Sequence, residues 1–253
     1  MILTNLYRKR YLWFLCNNCI AIHISRINTD SREGLVCPSC GLNGRQRAVL
    51  FAAQKKLNFK KYFKKQNIIG VSDGLPISMA FNSRFGDRYS NFEYHLEPYL
   101  DITQLKPEFE SIADFVTCSE VLEHVQPPVD FAFSGLYKLL KPGGWLVLSV
   151  PHTGSGSAHV EHFPIMVDSS LIQAETPILR GTDMEGNFRE FDNLVFHGGA
   201  GSTLEYRVFS EDSLKEKLLA SGFVKLEKQG NAILLGIVWE PWSRVWVAQK
   251  PLN

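Results

Sequence analysis

The sequence predicts an α/β protein: a doubly wound, mainly parallel sheet with a small metal-binding module before it. Three observations carry this. Residues 115–118 and 145–150 are apolar runs of strand length, separated by a helical pattern and a Pro142-Gly143-Gly144 break. That is how a crossover between buried parallel strands reads. The first run leads into Ser119, Glu120 and His124, and open α/β sheets bind ligands beyond the carboxyl ends of their strands. Two Cys-x-x-Cys pairs stand near the amino terminus.

The 253 residues, 45% of them apolar, suffice for one large α/β domain and something small. The formal charge is +1 but unevenly spread. Residues 1–66 hold thirteen Lys or Arg against Asp30 and Glu33, a net of about +11, and the rest carries about −10. That asymmetry directs attention to an acidic partner for the basic end. No run reaches the roughly 18 apolar residues of a membrane helix. Residues 11–15, after Arg8-Lys9-Arg10, are too short for a signal-peptide core and lack a small-residue cleavage site. The expectation is a cytoplasmic protein that does not enter a membrane. The five cysteines agree, because their spacing suits metal rather than disulfides.

Cys16-Asn17-Asn18-Cys19 and Cys37-Pro38-Ser39-Cys40 are separated by seventeen residues. Two such turns complete a tetrahedral four-thiolate zinc site, which leaves no open position and is therefore structural. Gly41 supplies the left-handed backbone that such a turn tends to need. Short strands are expected at 12–15 and 20–24, and apolar spacing predicts a helix over 45–57. Lys55, Lys56, Lys60, Lys61, Lys64 and Lys65 then form a cationic stretch, either a solvated linker face or a polyanion surface. The expected division is a zinc ribbon at 1–44, a basic helical linker at 45–66, and an α/β domain at 67–253 with an insertion at 151–206.

Within the α/β domain, residues 67–71 read as the first strand, ending in the turn Ser72-Asp73-Gly74. Glu93 ends the next short strand about twenty residues later, the distance at which a βαβ nucleotide fold places its ribose-binding acid. Glu97 competes for that role. Here the chain resembles a family. Ser119-Glu120-Val121-Leu122-Glu123-His124, followed by Leu140-Lys141-Pro142-Gly143-Gly144, is similar to the fourth and fifth strands of class I S-adenosylmethionine (SAM)-dependent methyltransferases, of the type 11 kind. The resemblance covers residues 67–250. It implies a Rossmann-like, seven-stranded mixed sheet whose final strand is antiparallel, with SAM as cofactor. It also implies that Ser72, Asp73 and Gly74 form the glycine-type turn, with Gly70 where an acid often stands and Asp73 as its substitute. By the same resemblance Asp101 and Ile102 meet the adenine, and Ser119, Glu120 and Val121 face the methionyl end.

The insertion carries His152, His159, Glu161, His162, Asp168, Glu190, His197 and Glu205, and is expected to form a lid over the methyl acceptor. Its Gly198-Gly199-Ala200-Gly201 run lacks the Lys-Ser/Thr of a nucleotide-binding loop. Ser210 and Gly222 bracket a helix over 211–220. Deprotonation of a hydroxyl or amine acceptor suits histidine, and topology favours His124 and His152 as catalytic bases, with His197 third. The reading is SAM-dependent methyl transfer to O or N of a small molecule, such as a sugar or natural-product intermediate. One alternative is an RNA methyltransferase holding phosphate with residues 1–66. Another is a non-catalytic zinc-ribbon protein with a degenerate methyltransferase-like domain.

Overall fold

The computed structural model describes residues 11–26, 34–57, 66–153, 156, 158–163, 166–197, 203–239 and 244–252. The chain opens with an antiparallel hairpin of β1 (Tyr11–Leu15) and β2 (Ile22–Arg26). Helix α1 (Gly44–Lys56) follows, capped by Asn43. The main sheet takes up β3 (Ile68–Val71), β4 (Tyr89–Phe92), β5 (Ala113–Ser119), β6 (Leu140–Ser149), β14 (Val224–Lys228) and β15 (Val245–Gln249). Their order is β14-β15-β6-β5-β3-β4. Neighbours from β4 to β6 pair in parallel, and β15 runs antiparallel to both β6 and β14.

Alternation along the strands divides the core into two layers. Val116, Cys118, Leu146, Leu148 and Trp246 point to one face, covered by α3 (Asp130–Leu139) and α4 (Glu211–Ala220) through Phe133, Leu136, Leu214 and Leu218. Phe115, Val147, Val245 and Val247 point to the other, covered by α1 and by α2 (Leu75–Phe85) through Val49, Ala53, Ile77 and Phe81. Residues 45–56, expected as a linker, are therefore a covering layer of the sheet. Lys60, Lys61, Lys64 and Lys65 lie outside the described residues.

The sheet has six strands among the described residues where seven are expected. The third-strand position, around Asp101, is a bend. Asp101 Oδ1 accepts the Thr103 N–H at 2.8 Å and the Thr103 hydroxyl at 2.6 Å. Such local bonding diverts a segment from pairing; one isolated bridge, Glu93 to Tyr99, remains. The insertion, expected as a long loop, builds its own strands. These are β7 (Val160–Glu161), β8 (Met166–Ile172), β9 (Ile178–Asp183), β10 (Phe188–Phe191), β11 (Phe196–His197), β12 (Thr203–Leu204) and β13 (Arg207–Val208). Strands β8 to β10 form a three-stranded sheet over a small core of Phe163, Met166, Leu179, Leu204 and Tyr206. The Gly198–Gly201 run lies outside the described residues. No helix among those residues is long and apolar enough to cross a membrane.

Candidate cofactor groove and metal centre

Both Cys-x-x-Cys segments fold into the same turn. The Cys16 N–H donates to Ala21 O and the Ile20 N–H to Cys16 O; the Cys37 N–H donates to Leu42 O and the Gly41 N–H to Cys37 O, all at 2.9 Å. Ile20 and Gly41 occupy equivalent positions with positive φ, 58° and 73°. A β-branched residue in that region is strained, so the first turn is held by its surroundings. The four sulfurs converge: Cys16 Sγ lies 3.6 Å from Cys40 Sγ, and Cys19 Sγ lies 3.7 Å from Cys37 Sγ. Tetrahedral Zn–S bonds of about 2.3 Å require sulfurs about 3.8 Å apart, so the site fits zinc. Burial raises the Cys16 thiol to about 12, a penalty that a bound cation would offset. Among the described residues these cysteines are the one cluster of three or more metal-ligating side chains.

Arg47 of α1 lies beneath this centre and is fully buried. It donates to Leu42 O at 2.6 Å, Leu235 O at 3.1 Å and Gly236 O at 2.8 Å, and its guanidinium lies 4.7 Å from the Phe14 ring centroid. It ties the metal turn to the carboxyl-terminal segment and offsets the net charge of about −2 of a four-thiolate zinc.

The candidate cofactor groove is placed where the main strands end, beyond β3, β4 and β5. Gly70 on β3 clears the space that Asp73 fills: a Cβ at Gly70 would stand 2.5 Å from Asp73 Oδ2 and from Tyr89 Oη. Asp73 Oδ2 accepts the Tyr89 hydroxyl at 2.8 Å and the Thr117 hydroxyl at 2.5 Å. Its other oxygen, Oδ1, has no hydrogen-bond partner among the described residues. Burial raises this carboxyl to about 6, against the pull of the two hydroxyls. Asn91 Oδ1 accepts the Asp73 N–H at 2.9 Å, while its Nδ2 donates to Glu93 Oε1 at 2.8 Å. Asp73 and Glu93 are thus held on one side of the groove. Ser72, with φ of 52°, donates its N–H to Phe92 O, and the exposed Gly74 starts α2.

Strand β5 supplies the other side. Its pairing with β3, Val71 opposite Cys118, sets Ser72, the first residue beyond β3, beside Ser119, the last residue of β5. Arg45 reaches in from α1, donating from Nη1 to Ser119 Oγ at 2.6 Å. Ser119 Oγ lies 2.7 Å from Ser149 Oγ, and Ser149 donates to Glu120 Oε1 at 3.0 Å. Arg45 Nε stands 3.9 Å from the same carboxylate, and both side chains are mostly buried. Val121 packs against the sheet core, and the Ile102 side chain is buried within it. Gly135 of α3 admits that segment, since a Cβ there would lie 1.8 Å from Ile102 O. Asp101 Oδ1 is engaged within its own turn by Thr103. Arg45, Asn91, Tyr89, Thr117 and Ser149 are missed by sequence reasoning; each is a common polar residue whose role depends on a distant partner.

The insertion closes onto the turn after β5. Arg207, fully buried, donates to Leu122 O at 2.7 Å, to Val125 O and to Glu161 Oε1 at 2.8 Å. His124 Nδ1 lies 2.7 Å from Leu204 O, which fixes the proton on Nδ1 and leaves Nε2 3.7 Å from Glu123 Oε1. His152 is 2% exposed, and burial lowers its pKa. His159 pairs with Glu161 at 3.0 Å and His162 with Glu205 at 2.8 Å, two separate histidine–carboxylate hydrogen bonds that do not gather into a second metal cluster among the described residues.

A family model for a methyltransferase domain matches residues 9–228. Over 36 residues the chain is 64% identical to the mitochondrial ubiquinone biosynthesis O-methyltransferase of Schizosaccharomyces pombe, a stretch that is 14% of this chain and 13% of that protein. It is similar to the 1,6-didemethyltoxoflavin-N1-methyltransferase of Burkholderia thailandensis, solved with S-adenosylhomocysteine: 14% identity, TM-score 0.45, 82% of this chain and 78% of that one. It is also similar to an S-adenosylmethionine-dependent methyltransferase from Mesorhizobium loti: 14% identity, TM-score 0.47, 80% of this chain and 98% of that one. The chain belongs to the methyltransferase-domain family.

Proposed function

We propose that the protein transfers the methyl group of SAM to an oxygen or nitrogen of a small molecule. The observation that carries this reading is the pairing of Glu93 with the Ser72–Gly74 turn across from Ser119 and Glu120, at the carboxyl ends of adjacent parallel strands. When bound, SAM supplies an electrophilic methyl on a sulfonium. Glu93 suits the two ribose hydroxyls, because an ionised carboxylate accepts both. Gly74 keeps side-chain bulk out of the approach beside β3. Displacement at that methyl would be in line, so these residues would mainly contribute the alignment of acceptor and sulfonium.

His124 fits the role of base. Its Nδ1–H is committed to Leu204 O, so Nε2, beside Glu123, is the nitrogen that would take the proton. His152, buried just after β6, bridges to Phe209 and supports the wall beside it. The insertion anchored by Arg207 is the element that selects the acceptor. The zinc is structural, which agrees with a thiol-reducing cytoplasmic setting. We divide the chain into a metal hairpin before residue 44 and a methyltransferase domain that includes α1.

Calorimetric titration with S-adenosylhomocysteine tests the cofactor reading: micromolar binding is expected, and no heat at millimolar ligand would overturn it. A second reading, an RNA acceptor, rests on the net charge of about +11 in residues 1–66. Lys56 counts less towards it, since its Nζ lies 2.6 Å from Glu227. Filter binding to RNA across a salt series separates the two: steep salt dependence favours RNA, and no binding removes it.

A further inference from the structure

The metal centre and the cofactor groove meet on one stretch of chain, residues 37–47. The Leu42 carbonyl accepts from Cys37 N–H at 2.9 Å and from Arg47 Nη1 at 2.6 Å. Asn43 then caps α1 reciprocally: its Oδ1 accepts the Gln46 N–H at 2.8 Å, and Gln46 Oε1 accepts the Asn43 N–H at 3.0 Å. Arg45 stands inside this bonded unit, between the cap and Arg47. Its guanidinium emerges at Ser119 and Glu120, with the side chain 12% exposed.

We propose that the second zinc turn is a positioning device for Arg45, which receives the carboxylate of the cofactor's amino-acid tail, so that metal occupancy sets cofactor affinity. This inference rests on the SAM reading above. The tail carries an ammonium and a carboxylate. The Arg45–Glu120 pair, 3.9 Å apart, presents the complementary charges at the groove end opposite Glu93. Arginine suits the task because its fixed fork binds a carboxylate through two N–H groups. Such a fork helps only when held to about 0.5 Å, and here the holding is done by the capped first turn and the metal turn before it. Without zinc, residues 37–42 lose their anchor, and the Arg45 fork loses its fixed origin.

The test is calorimetry on the full-length, zinc-loaded protein with two probes. S-adenosylhomocysteine carries the tail; 5′-methylthioadenosine keeps the nucleoside and thioether but lacks it. Arg45→Met is expected to weaken S-adenosylhomocysteine about 10–100-fold and leave methylthioadenosine unchanged, with Arg45→Lys recovering part of the loss. Chelator-stripped protein with native circular dichroism is expected to show the same selective loss. Where stripping unfolds the chain, Asn43→Ala with zinc retained takes its place and is expected to weaken S-adenosylhomocysteine selectively. Wild-type affinity in Arg45→Met, or equal loss of both probes, would overturn the assignment of Arg45. Unchanged affinity in folded zinc-free protein, or in Asn43→Ala, would overturn the coupling. If the zinc-loaded wild type bound neither probe, the cofactor reading itself would fail.

Discussion

At Gly70 and Asp73 the missing side chain of one residue makes room for the carboxylate of the other. Gly70 has no side chain, and Asp73 folds back over it, within reach of Tyr89 and Thr117. Gly70→Ala is expected to cost about 1–3 kcal/mol in chemical denaturation, because Asp73, Tyr89 and Asn91 all crowd the new methyl. Asp73 also has a pH signature. Its folded pKa of about 6 exceeds the usual 3.8, so below pH 4 both states are protonated. Between about pH 4 and 6 the unfolded chain ionises first, and this group's contribution to stability falls as pH rises. Melting curves across that window are expected to show the decline in wild type and its absence in Asp73→Asn. An unchanged slope in the variant would contradict the assignment. Arg47→Met should lose about 2–3 kcal/mol, since the Leu235 and Gly236 carbonyls lose the guanidinium donor and Leu42 O keeps only the Cys37 N–H.

At the scale of elements, what was legible in the sequence is what local pattern dictates. The β5–α3–β6 crossover, the Ser210 cap and both cysteine turns follow from apolar period, capping chemistry and spacing. Helix α1 was visible as a helix but not as a layer. Its buried residues include Gly44, Arg47, Ala48, Ala52 and Ala53, small or polar groups that give little amphipathic signal yet allow close approach to the sheet. The third strand failed because Asp101 satisfies its own turn. The insertion's strands escaped notice because their core of Phe163, Leu179 and Tyr206 is assembled from distant positions. Asp73, Glu93 and Ser119 could be picked out from their places at strand ends; Arg45, 74 residues before Ser119, could not. Arg207 pins this insertion. Arg207→Met is expected to raise protease sensitivity within 151–206 in limited proteolysis, while the main sheet keeps its cleavage resistance.

Across the whole molecule, a metal hairpin and a methyltransferase sheet share a helix, so they should not unfold independently. Zinc removal is expected to lower the melting temperature of the entire chain by about 10 °C or more in a single transition. Two separate transitions would show that the hairpin is only an appendage. The account depends most on the groove beyond β3, β4 and β5, and a co-crystal structure with S-adenosylhomocysteine tests it most directly. The prediction is a nucleoside whose ribose hydroxyls lie on Glu93, with its thioether between the Ser72 and Ser119 turns. A ligand seated elsewhere, or Glu93 turned away from the sugar, would contradict it.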